Sequence, residues 1–164
     1  MPCAEDERWM AQAIALAKTK GSTPQDTPIA AIIVRDGAVI ATGTNQTCET
    51  CDATAHAEMV AFRAAGPASG SMDLRGATLY STLQPCGMCT MASIWTKVER
   101  IVYGAGRDEV HRMYFEDRHL DTMDFIADAW REDLVLDGGC LAAQCAALYF
   151  GPNDAVPAEL QGNI

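Results

Sequence analysis

Two short segments constrain this chain more than anything else in it: His56-Ala57-Glu58 and Pro85-Cys86-Gly87-Met88-Cys89. Each lies where a helix is predicted to begin, over 54–65 and over 86–97. Residues three apart share a helix face, so the sulfurs of Cys86 and Cys89 can reach one ion. Pro85 suits a helix start, where no backbone donor is needed, and the positive end of the helix dipole favours thiolates. Taken alone, this C-x-x-C also suits a soft pair in a core or a redox couple. His56 and Glu58, two apart, share no helix side and can converge only around the N-terminal end. An ion held by His56 therefore lies beyond that end, with Glu58 beside it. Both helices must then start near one edge of a common sheet.

The remaining pattern supplies that sheet. Residues 5–20 read as an amphipathic helix, with Met10, Ala13, Ile14 and Ala17 at helical spacing and Lys18, Lys20 and Gly21 at its close. Apolar, β-branched runs at 29–34 and 39–44 predict strands, and Asp36-Gly37 between them supplies the positive φ angles of a tight hairpin. The helix over 54–65 is expected to stop at Gly66-Pro67. Strands are expected over 77–83, 100–103 and 134–136, and a final helix over 141–150. Residues 47–52 read as a loop and 106–131 as an irregular or short-helical insert over a site. The tail, 151–164, reads as loosely packed. Strands alternating with helices imply an α/β sheet covered on both faces, mixed because a hairpin opens it. No repeat or linker interrupts the pattern, so a single domain over 1–164 is expected.

Charge limits the partners. Acids outnumber Lys and Arg 22 to 12, a formal net charge of −10. Non-specific nucleic-acid binding needs cations that displace counterions from phosphates, so a small neutral or cationic substrate is favoured. No stretch approaches the ~20 unbroken apolar residues of a membrane span. The acidic start, Met1 to Arg8, resembles neither a secretory nor a transit signal, which makes a cytoplasmic location the expectation. Seven cysteines, an odd number, argue against a disulfide framework and for metal binding or burial.

The two segments together resemble the signature H-x-E … P-C-x-x-C of the zinc-dependent cytidine/nucleobase deaminase superfamily. The resemblance covers 28–150. It implies a cytidine deaminase-like three-layer α/β/α sandwich on a five-stranded mixed sheet. It also implies one zinc ion per chain on His56, Cys86 and Cys89, and Glu58 as the proton shuttle of a hydrolytic deamination that releases ammonia. Pro28 to Val34 and Gly43-Thr44-Asn45 resemble both the bacterial tRNA-adenosine deaminases and the guanine deaminases. In those branches the asparagine at this place hydrogen-bonds the substrate, which implies that role for Asn45; a polar cap on a strand end is the other reading. The backbone N–H of Ala57 is a candidate partner for a base carbonyl or ring nitrogen.

Other features divide the branches. Residues 134–148 resemble the last strand and helix of the tRNA enzymes. The insert, with Glu109, Tyr114, Phe115, Glu116 and Asp117, instead suits a lid over a small molecule. Gln84 stands where both branches usually carry glutamate. Both are homodimers, and Met88, Met91, Ile94 and Trp95 form an apolar run that suits such an interface. The favoured substrate is a free nucleobase, nucleoside or related amino-heterocycle, guanine-like first. Deamination of tRNA adenosine is the alternative. A non-catalytic zinc-stabilised module is a reading of another class, although a structural zinc normally has four protein ligands. Cys48 and Cys51 read as structural thiols, with a second metal site or redox clasp as alternatives. His111 and His119 read as solvated surface, with substrate contact as the alternative.

Overall fold

The sheet opens at the hairpin. β1 (Ala30–Arg35) and β2 (Ala38–Thr44) pair antiparallel, and Asp36 and Gly37 between them sit at φ 53° and 72°. Those left-handed angles match the twist of the flanking strands. β1 also pairs antiparallel with β3 (Ala77–Leu83), while β4 (Arg100–Ala105) and β5 (Val135–Asp137) add in parallel. The order β2-β1-β3-β4-β5 is therefore the expected five-stranded mixed sheet. The computed structural model describes residues 1–115 and 120–161. Glu116, Asp117 and His119 of the insert lie outside the described residues.

Strand alternation decides what each face buries. Ile32, Val34, Tyr80 and Val102 join a core with Trp9, Met10, Ala13 and Ile14 of α1 (Ala4–Lys18). Cys145 of α6 (Ala142–Ala146) closes the same side. Their strand neighbours Ala31, Ile33, Leu79 and Ile101 face the other way. They pack with Ala57, Ala61 and Phe62 of α3 (Ala57–Ser69) and Ala92 of α4 (Gly87–Thr96). Two cores flanking one sheet make the three layers. α3 lies so close to β2 that a Cβ on Gly43 would fall 2.2 Å from the Ala57 carbonyl oxygen. Only glycine allows that approach.

Several boundaries differ from expectation. α3 starts at Ala57 and runs through Gly66-Pro67 to Ser69. Pro67 removes one hydrogen bond near the end of the helix. The stop is Gly70, at φ 64°, where the N–H of Ser71 donates back to the Gly66 carbonyl at 3.1 Å. The helix expected over 141–150 shrinks to α6, because the insert claims the chain beyond it. The Phe150 carbonyl accepts from the His111 N–H at 2.7 Å, and the Phe150 N–H donates to the Tyr114 hydroxyl at 3.2 Å. Residues 47–52 hold a short helix, α2 (Thr47–Thr50), instead of a loop. The insert forms a 3-10 turn, Arg112–Tyr114, and α5 (Thr122–Ala127). His111 is buried rather than solvated, and its Nδ1 accepts from the Met113 N–H at 3.2 Å, capping that turn. In the tail, Val156 is buried and Leu160 packs beside it, while residues 152–155 and 157–159 are exposed. Among the described residues no helix is long and apolar enough to cross a membrane.

Candidate active site

β2 and β3 both run antiparallel to β1, so they point the same way and α3 and α4 begin at one sheet edge. His56 is the residue immediately before α3, and Cys86 the one before α4. The Sγ atoms of Cys86 and Cys89 lie 3.6 Å and 3.7 Å from His56 Nδ1. All three ligand atoms fall within 4.8 Å of one another, the one such group among the described residues. In a tetrahedral centre with Zn–S of about 2.3 Å and Zn–N of about 2.0–2.1 Å, the S···N edge is about 3.6 Å. The three residues fit a zinc ion in spacing and in donor type.

Electrostatics set the two thiols of the cluster apart. A hydrogen bond from Cys89 holds the Cys86 thiol down to about 4 against its burial, with His56 assisting. The partner moves the other way: the bond to Cys86, burial and the charge of Glu58 all push the Cys89 thiol up. Glu58, in the first turn of α3, is 4 % exposed. Burial first, and then the charge of Cys86, raise its carboxyl above the ordinary value. Its Oε1 accepts from the Ser81 hydroxyl at 3.1 Å and its Oε2 from the Cys89 thiol at 3.5 Å.

A cavity of about 300 Å³ opens on this cluster. Asn45, His56, Ala57, Glu58 and Cys86 line it, with Met113 and Tyr114 of the insert and Leu160 of the tail on other walls. Among the described residues, no Lys or Arg lines it. The Asn45 amide donates to the hydroxyls of Thr27 at 3.2 Å and Thr47 at 3.4 Å. The second C-x-x-C stands apart from the metal cluster: Cys48 and Cys51 are exposed free thiols, and only Cys48 borders the cavity. Trp95 is exposed on α4.

Sequence reasoning did not find Ser81, Thr27, Thr47 or the tail. For Ser81 a signal existed. Ser81-Thr82 is a polar pair inside an otherwise apolar strand, just ahead of Gln84-Pro85-Cys86. For Leu160 the sequence holds none, since a single leucine after two prolines carries no periodicity.

Fold and cluster together define a class: an α/β/α domain with a His-Cys-Cys centre at its sheet edge. The chain belongs to the family of the cytidine and deoxycytidylate deaminase zinc-binding region, whose model matches residues 3–105. It is 43% identical over 102 residues to the tRNA-specific adenosine deaminase of Agrobacterium fabrum, covering 62% of this chain and 66% of that protein. It is 34% identical over 114 residues to the guanine deaminase of Bacillus subtilis, covering 70% of this chain and 73% of that one. A crystal structure of an NE0047 mutant in complex with 8-azaguanine superposes with a TM-score of 0.74 at 25% identity. That match covers 87% of this chain and 81% of the other. The chain spans less than two thirds of the length of several relatives it matches, down to 8% of one of them.

Proposed function

We propose that this chain is a zinc-dependent hydrolytic deaminase of a free nucleobase, nucleoside or related amino-heterocycle, guanine-like purines first. The observation that carries the reading is Glu58, a buried carboxyl on the cavity wall beside a three-residue metal cluster. A structural zinc normally takes four protein ligands, and among the described residues the cluster has three. When bound, zinc supplies an open coordination position and lowers the pKa of water from 15.7 to about 7.

The chain's own residues do the rest. His56, Cys86 and Cys89 hold the ion. Glu58, its affinity for protons raised by burial, accepts the proton of the attacking water. It then delivers protons to the ring nitrogen and to the departing amine. Ser81 holds one carboxyl oxygen in place throughout. Asn45 and the Ala57 N–H orient the ring. One water enters, the C–NH2 carbon becomes a carbonyl, and one ammonia leaves.

The absence of Lys and Arg from the cavity lining among the described residues and the net charge of −10 favour a small molecule. The identity to the Agrobacterium protein supports a second reading, deamination of tRNA adenosine. We further propose a cytoplasmic homodimer, with Trp95, 68% exposed, and the neighbouring Met88 and Met91 at the interface.

An ammonia-release screen over free bases, nucleosides, aminotriazines, pterins and tRNA, with zinc measured on the same sample, tests both readings. Strong, salt-sensitive binding and turnover of tRNA would replace the first reading with the second. Glu58→Gln is expected to keep its zinc and lose about 10²–10⁴-fold in turnover. Normal turnover in that zinc-replete variant would remove Glu58 from the mechanism.

A further inference from the structure

We infer that Cys48 and Cys51 form a self-clearing thiol pair at the rim of the cavity: Cys48 takes up a small thiol by disulfide exchange, which closes the cavity, and Cys51 expels it. The effect on turnover rests on the deaminase reading; the exchange and the closing do not. The cysteines fall into three environments. Cys86 and Cys89 belong to the metal cluster, Cys140 and Cys145 are buried, and Cys3, Cys48 and Cys51 are exposed and free. Of the exposed three, Cys48 alone lines the cavity, which it shares with His56, Glu58 and Cys86. A sulfur there is open to solution and stands on the approach to the metal cluster.

α2 sets the second thiol within reach of the first. The two cysteines are three apart on one turn, so their Cα atoms are about 5 Å apart, inside the roughly 4.4–6.8 Å that a disulfide spans. The Cys51 N–H donates to the Cys48 carbonyl at 3.4 Å, and the Cys51 Sγ lies 3.8 Å from the same oxygen. The turn is fastened on both sides. Glu49 pairs with Lys20, the Thr50 hydroxyl donates to the Gln46 carbonyl at 2.8 Å, and the Asp52 N–H donates to the Thr47 carbonyl at 3.1 Å. Cys51 closes the turn at φ 52°, where glycine or asparagine is the usual residue. The cap itself is better served by glycine, so what cysteine adds at this position is its sulfur. Cβ atoms three apart on a helix stand about 5–6 Å from each other, against about 3.8 Å in a relaxed disulfide. A bridge therefore tightens the turn and is readily reduced, which makes it a passing state rather than a structural staple.

The exchange needs one reagent, a low-molecular-weight disulfide, R–S–S–R. The Cys48 thiolate attacks one of its sulfurs: the Cys48–S–S–R bond forms, the R–S–S–R bond breaks, and the leaving thiolate takes the proton that Cys48 gave up. The Cys51 thiolate then attacks the Cys48 sulfur, the Cys48–Cys51 bond forms, and a second R–SH leaves. Two thiols of the chain are oxidised, and one small disulfide is reduced to two thiols. A tripeptide-sized R group crowds a cavity of about 300 Å³. The bridge draws the Cys48 sulfur toward Cys51, which is off the cavity lining, so clearance reopens the cavity.

The test uses the full chain loaded with zinc, glutathione disulfide as the probe, and peptide mass mapping to place each modification. The wild-type chain should end with a Cys48–Cys51 bridge and no retained glutathionyl group. Cys51→Ser cannot clear the adduct and should keep one group on Cys48. In that adduct, zinc extraction by the chromophoric chelator pyridylazoresorcinol should slow about tenfold or more, and ammonia release from guanine should slow with it. Dithiothreitol should restore both rates. Cys48→Ser, treated alike, should keep both rates at their untreated values. A group retained equally by the wild-type chain and Cys51→Ser, no group on Cys48 of Cys51→Ser, or an adduct that leaves zinc extraction unchanged would overturn the inference and leave the deaminase reading intact. An untreated, zinc-loaded chain that releases no ammonia from guanine would count against the guanine-first reading alone, because the mass map and the extraction rate still decide the thiol pair.

Discussion

At the scale of single residues, Gln84 shows how one amide can join the metal-bearing segment to the insert. Its Oε1 accepts from the Arg107 N–H at 3.2 Å, and its Nε2 donates to the Thr122 hydroxyl at 3.4 Å. Thr122 in turn donates to the Pro85 carbonyl at 2.8 Å, so its hydrogen is spent and its oxygen needs a donor. An amide can accept on one side and donate on the other; a carboxylate cannot. This accounts physically for glutamine where the resembled branches carry glutamate. Gln84→Glu would set a buried charge against an oxygen lone pair, and it should cost about 1–3 kcal/mol in urea unfolding of the zinc-loaded protein. An unchanged midpoint would mean that the chain of bonds adds nothing. The residues of the metal cluster were legible because each half, His56 with Glu58 and Cys86 with Cys89, is a short local spacing at a helix start. Ser81 and Thr27 were not, since their roles depend on partners 23 and 18 positions away.

At the scale of elements, what was legible followed the range of the interactions that set each boundary. β3 falls where its apolar run predicts, and the hairpin forms where Asp36-Gly37 can turn. α6 is short because Phe150 is held by the insert, a contact invisible to local periodicity. α1 illustrates a further long-range tie. Asp6, in its first turn and 1% exposed, takes two hydrogen bonds from Arg100 of β4, at 2.7 Å and 2.9 Å, and one from Tyr80 of β3 at 2.8 Å. Burial pushes its carboxyl up, but these bonds and one from the Cys3 N–H outweigh burial and hold it well below the usual carboxylate range. Asp6→Asn should therefore cost about 3 kcal/mol at neutral pH. A depressed folded-state pKa stabilises fully above the unfolded value, about 3.9, and that contribution fades as pH falls through the folded one. The gap in urea midpoint between the wild-type chain and Asp6→Asn should thus stay level from pH 7 to 5 and narrow below about pH 4. A gap that widened with acid would contradict the assignment.

At the scale of the whole molecule, the metal is a tie between two helices of one layer as well as a reagent. His56 precedes the helix that follows β2, whereas Cys86 and Cys89 belong to the helix that follows β3. An ion on all three joins segments separated by 30 positions of chain. The unfolded chain has no such arrangement, so binding free energy becomes folding free energy. With free zinc at a thousandfold excess over its dissociation constant, the linkage is worth about 4 kcal/mol. For a chain of this size that is roughly 8–16 °C in Tm. The sheet and its two cores do not pass through the metal site, so the chelated protein should keep its secondary structure and unfold cooperatively at the lower temperature. His56→Ala should begin near that lower Tm and respond little to a chelator. If chelation strips the zinc and Tm stays where it was, the three ligands are already fixed by packing alone, and the ion serves chemistry without holding the fold.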